Sequence, residues 1–164
     1  MPLSPRGTFE SRDLYLSPCA SFGAPIEWPS APYFRLLIVA DQGQIDAAEL
    51  KALAETAVAK GAHSTLAFGS AADDVETSFD QAIITGNYET AGRTYLTAVN
   101  RDDDVAEALW DAFYTMSGDE DIEHDVPPIL ILIRNGDLRL PRIEEVLADM
   151  DTEFTKLLDK EEKA

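Results

Sequence analysis

The sequence predicts an α/β fold built on a parallel sheet, and three observations carry that prediction. Short runs of branched apolar residues alternate with longer segments whose apolar positions recur every three or four residues. Helix-start and helix-stop residues fall at the joints between them. The chain has 164 residues, enough for one domain, and its 45% apolar and 27% charged content is ordinary globular usage.

Six of the nine prolines lie in the first 32 residues, where missing amide donors and fixed φ disfavour regular structure, so residues 1–32 are expected to form an extended arm. Leu14, Tyr15, Leu16, Phe22 and Trp28 are too apolar for a solvated tail, which places the arm along the domain with 14–16 as a short edge strand. Residues 33–164 form the single domain. YFRLLIVAD (33–41) suits a strand buried on both faces. Asp46 then opens a helix with a capping box to Glu49, Leu50, Leu53, Ala54 and Ala57 line its inner face, and Gly61 stops it.

STLAFG (64–69) is the second strand, followed by a helix with Ser70 as its cap, Val75, Phe79 and Ile83 on its inner face, and Gly86 at its end. RTYLTAVN (93–100) is the third strand and 102–118 the third helix, with Val105, Leu109, Ala112, Phe113 and Met116 inward. VPPILILIRNG (126–136) is the most apolar strand and therefore central, and Pro141 opens a last helix striped by Ile143, Leu147, Met150, Phe154 and Leu157. This alternation predicts a small doubly wound, Rossmann-like domain of about four parallel strands with helices on both faces.

The outlying quantity is charge: 13 Lys+Arg against 31 Asp+Glu give a formal net charge of −18. Such an excess opposes approach to nucleic acid or an anionic membrane, and it favours a basic protein partner or simple solubility. The single cysteine, Cys19, forms no intramolecular disulfide and is expected to be an incidental thiol. With no secretory signal pattern at the amino terminus and no long apolar run, the expected location is cytoplasmic.

Ligands of doubly wound folds bind at the carboxyl ends of the strands, which here gives a polar rim of Asp41, Ser70, Asn100, Asp102 and Asp137. The first turn, ADQGQID, has neither G-x-G-x-x-G nor G-x-x-x-x-G-K-[ST], and FGSA is not G-x-S-x-G, so no dinucleotide or other cofactor and no serine nucleophile is expected. The run GDEDIEHDV (118–126) begins like a calcium loop, but it has His124 at the sixth position and Leu130 at the twelfth, so it reads as a solvated loop with no metal. His63 and His124, the only histidines, read as surface residues.

Residues 102–125 hold ten acids and no Lys or Arg. The expected function is accordingly noncatalytic: an acidic interaction protein, of an accessory or immunity type, that docks a basic partner through Asp103, Asp104, Glu107, Asp111, Asp119 and Asp121, with an exposed Trp110 as anchor. The alternative is a small-molecule- or metal-binding enzyme using the rim carboxylates. A third possibility is assembly through the amino-terminal arm.

LAFGSAADDVETSFDQA, TAVNRDDDVAEALWDAF and ILILI together resemble a bacterial domain family of unknown function with a Rossmann-like layout, over residues 33–133. Its aromatic-Gly and aromatic-Asp pairs are matched by Phe68-Gly69 and Phe79-Asp80, and its acid before a Trp-bearing helix by Asp102 and Trp110. Members often end the third strand with Trp-His, where this chain has Val99-Asn100, so a histidine at that place is absent. The resemblance implies the fold and no substrate.

Overall fold

A long apolar strand demands cover on both faces, and the chain supplies it with a six-stranded sheet between two helical layers. The computed structural model describes residues 6–86, 95–101, 104–116 and 120–163. The strands are β1 (Gly7–Phe9), β2 (Arg12–Cys19), β3 (Phe34–Val39), β4 (Ala62–Phe68), β5 (Leu96–Asn100) and β6 (Ile129–Arg134). The helices are α1 (Ala47–Lys60), α2 (Ala72–Thr85), α3 (Val105–Tyr114), α4 (Glu120–His124), α5 (Leu140–Ala148) and α6 (Met150–Glu162). Strand order is β1-β2-β6-β3-β4-β5, parallel throughout except for the antiparallel β1–β2 pair.

Successive strand residues point to opposite faces, so β3 and β6 feed two cores. Leu37, Val39, Ile129, Ile131 and Ile133 pack with α3, α5 and α6. Phe34, Leu36, Ile38, Leu130 and Leu132 pack with α1, α2 and Phe22. All five residues from Ile129 to Ile133 are fully buried, each contributing about 1.5–3 kcal/mol of apolar burial. The predicted capping box of Asp46 and Glu49 is present, and Gly61 stops α1 at φ +115°.

The sheet corrects the expected strand count from four to six. Leu14 and Leu16 of β2 are buried in the α3/α5/α6 core, while Tyr15 and Cys19 face the other one. The strand expected at 14–16 is present but longer and is not the edge, because β1 lies outside it. β1 covers only Arg12–Leu14, so Pro18, paired to Ile133 on its other side, lacks a donor where β1 does not reach. The remaining arm residues, 20–33, carry no regular secondary structure, and Trp28 lies 5.8 Å from the Phe34 ring. Cys19 is buried, its Sγ 3.5 Å from the Ile133 carbonyl, and burial pushes the thiol pKa up.

The helical expectations also need correction. The last apolar stripe is two helices, because Asp149 leaves the helical region at φ −151° and its carboxylate caps the backbone N–H of Thr152. The third helix starts at Val105 because Asp104 caps it. The expected loop after it contains α4, and His63, expected at the surface, is fully buried.

One group of side chains explains both of those last corrections. Glu123 of α4 reaches the amino end of the sheet, where Arg35 Nε and Nη2 donate to its two oxygens at 3.1 and 2.6 Å. His63 Nε2 lies 3.1 Å from Oε1, and Arg12 Nη2 lies 3.6 Å from Oε2. Arg35 Nη1 also donates to the Ala112 and Phe113 carbonyls, binding the negative end of α3. Leu14→Ala is expected to cost about 2–5 kcal/mol in urea unfolding, as for an interior core leucine; a loss below about 0.5 kcal/mol would mean that β2 lies on the domain as a loose arm.

Candidate functional site

The polar crevice of this fold follows from strand order. β3 leads to α1 on one face of the sheet, and its neighbour β6 leads to α5 on the other, so the two loops part at the carboxyl end. Such a parting of loops opens a crevice in parallel sheets. Asp41 follows β3 and Asp137 follows β6, and Arg139 bridges them.

Arg139 Nε and Nη2 donate to Asp137 Oδ1 and Oδ2 at 3.0 and 2.8 Å, while Nη1 donates to Asp41 Oδ1 at 3.2 Å. Gln44 closes the ring: its Oε1 accepts from the Asp41 N–H at 2.7 Å, and its Nε2 donates to Asp137 Oδ2 at 3.2 Å. The guanidinium lies over the Phe68 ring, 5.5 Å from its centroid. Gly69, at φ +110°, lets the chain pass: a Cβ there would stand 2.3 Å from the Ala40 oxygen and 2.9 Å from Arg139 Nη1.

The electrostatics match this packing. Burial pushes the Asp137 carboxyl up, but the side-chain and backbone hydrogen bonds from Arg139, then Gln44, outweigh it and hold the pKa below the ordinary value. Burial lowers the Arg139 guanidinium, and Asp137 and Asp41 more than offset that.

Four of the five predicted rim residues lie among the described ones. Asp41 also accepts the Ser70 N–H at 2.9 Å. Ser70 does not cap α2, whose N-cap is Ala71 with no side-chain bond; its Oγ instead accepts the Gln42 N–H at 2.8 Å and ties the ends of β3 and β4 together. Asn100 Nδ2 donates to Asp111 Oδ2 at 2.6 Å. Asp41, Ser70, Asn100, Arg101 and Arg139 line one cleft of about 370 Å³, whereas Asp137 lies beneath Arg139. Asp102 is outside the described residues. Among the described residues no group of three or more His, Cys, Asp or Glu is placed to hold a metal ion.

Three of the residues expected to bind a partner, Asp104, Trp110 and Asp111, have duties inside the molecule. Asp104 caps α3 and Asp111 holds Asn100. Trp110 is half-buried rather than exposed, 4.3 Å from the Tyr114 ring and 5.2 Å from that of Phe154. Glu107 lines a second, open cleft of about 630 Å³ with Asp104, Arg139, Arg142 and Lys160. Asp121 is exposed on α4, and Asp103 and Asp119 are outside the described residues. Sequence reasoning missed Arg139 and Gln44, whose only signal was spacing: a cation two residues after one rim acid and a carboxamide three residues after the other.

Fold and site together define an α/β protein with a polar crevice at the carboxyl ends of a mostly parallel sheet. The chain belongs to the family described as a domain of unknown function (DUF7684), whose model matches residues 14–150 and so takes in most of β2 and all of α5 as well as the 33–133 stretch. No curated protein and no solved structure matches it significantly.

The depressed pKa of Asp137 fixes a pH dependence. Its contribution is fully present above the unfolded-state value of about 3.9 and is lost as pH falls through the lower folded-state value. In urea unfolding across pH, the stability gap between wild type and Asp137→Asn is expected to be largest above about pH 5 and to narrow on acidification. A gap that does not change with pH would contradict the assignment.

Proposed function

We propose that this protein binds a small polar ligand in the cleft at the carboxyl rim of its Rossmann-like, doubly wound fold. The observation that carries the reading is convergence: the ends of β3, β4 and β5 and the start of α5 direct Asp41, Ser70, Asn100 and Arg139 at one volume of about 370 Å³. That volume lies within the range of about 300–1,000 Å³ typical of small-molecule sites. Its lining offers two carboxylates, a hydroxyl, a carboxamide and two guanidiniums beside the Phe68 and Val99 surfaces, which suits a ligand with several hydrogen-bonding groups and a short apolar portion.

The rim acids support binding ahead of catalysis. Asp41 accepts from Arg139 and the Ser70 N–H, and Asp137 from Arg139 and Gln44, so both serve as acceptors in a fixed frame. Proton abstraction by Asp137, whose side chain is only 3% exposed, requires that frame to open first.

A second reading, docking of a basic protein, is favoured by the net charge of −18 and by exposed Glu120, Asp121 and Asp125 on and after α4. Its surface is narrower than residues 102–125 as a whole, because Asp104 and Asp111 are already engaged.

Thermal unfolding in a panel of small polar metabolites (amino acids, dicarboxylic acids, sugar phosphates and nucleotides) tests the first reading. A ligand present at a hundredfold over its Kd should raise Tm by roughly 5 °C or more. Asp41→Asn and Ser70→Ala should shrink that rise, and Asp121→Asn should leave it intact. A panel without a shift, or a shift untouched by the rim variants, would overturn the reading and favour the acidic surface.

A further inference from the structure

The second polar cluster stands at the opposite end of the sheet from the rim cleft, and it has the construction of a receptor. Each oxygen of Glu123 meets two groups: Oε1 takes Arg35 Nε and His63 Nε2, and Oε2 takes Arg35 Nη2 and Arg12 Nη2. None of these groups belongs to α4. They come from β2, β3 and β4, and the two arginines are also held by something other than Glu123. Arg35 Nη1 donates to Ala112 and Phe113, and Arg12 Nη1 to the Pro127 carbonyl.

His63 owes its direction to an irregularity in the sheet. Phe34 pairs with Ala62 and Arg35 with Ser64, so His63 is an extra residue bulged out of β4 beside Arg35. Bulges of this kind re-aim a side chain at a site. Two guanidiniums, whose side chains are 7% and 13% exposed, face one carboxylate here, so the surroundings demand an anion whether or not Glu123 supplies it. The paired donors of Arg35 select a planar carboxylate. On α4 itself, only Ile122 of the five residues is buried.

We propose that Arg12, Arg35 and His63 form a carboxylate-binding site that the chain's own Glu123 occupies, making α4 a tethered ligand. Where the Glu123 side chain is removed, a small carboxylic acid takes its place between the two guanidiniums. The tether gives Glu123 a high effective concentration, so free acid competes poorly in the wild type and well once the side chain is removed.

Glu123→Ala and wild type are compared by thermal unfolding in sodium acetate and in sodium chloride at equal ionic strength. Acetate at about 0.2 M should raise the Tm of the variant by on the order of 3 °C more than chloride does, and leave the wild type with no such difference. Equal effects of the two salts on the variant would overturn the proposal. If the variant is unfolded without acetate, its refolding yield from urea is measured instead. An acetate-dependent yield supports the site, and a yield indifferent to acetate overturns it.

Discussion

The adjacency of β3 and β6 is the constraint on which the rest of this structure depends. Both strands are buried on both faces, and Leu36–Val39 and Ile129–Ile133 carry only apolar side chains. Polar chemistry is displaced to the two ends of the pair. At the carboxyl end the departing loops separate, and Arg139 holds Asp41 to Asp137 across the gap. At the amino end Arg35, the second residue of β3, gathers Glu123 and the last carbonyls of α3.

A protein with a net charge of −18 spends several of its few cations inside. Arg12, Arg35, Arg139 and Arg142 each bind a carboxylate that is buried or half-buried. Breaking one such pair leaves the other charge stranded, which is far more destabilising than the loss of an exposed ion pair. The acidic excess is therefore carried by the solvent-facing side chains. The same economy narrows any acidic docking face, because Asp104, Asp111 and Glu123 within the acid-rich stretch already have partners in the fold.

The parts legible in the sequence are those fixed by local chemistry. The capping box of Asp46 and Glu49, the stop at Gly61 and the apolar run of β3 need only neighbours a few residues away to be recognised. Of β2 only 14–16 was legible, as an edge strand; its full length and inner position were obscure because its partner β6 lies 115 residues later in register, from Leu14 to Ile129, and the proline-rich composition around it argued against regular structure. Glu123 and His63 were obscure for the same reason: a carboxylate in an acidic run reads as solvated until two arginines and a histidine arrive beside it from three strands. At the rim, spacing indicated Asp41 and Asp137, but their joint partner Arg139 depends on how two loops diverge, which sequence periodicity does not encode.

Native-state amide hydrogen exchange tests the central place of the β3–β6 pair most directly. The amides of Leu36–Val39 and Leu130–Ile133 should exchange only through global unfolding, with opening free energies equal to the stability measured by urea. Those of β1 and β5, each paired to a single neighbouring strand, should open at lower free energies. Faster exchange in β3 and β6 than in β1 or β5 would contradict the account.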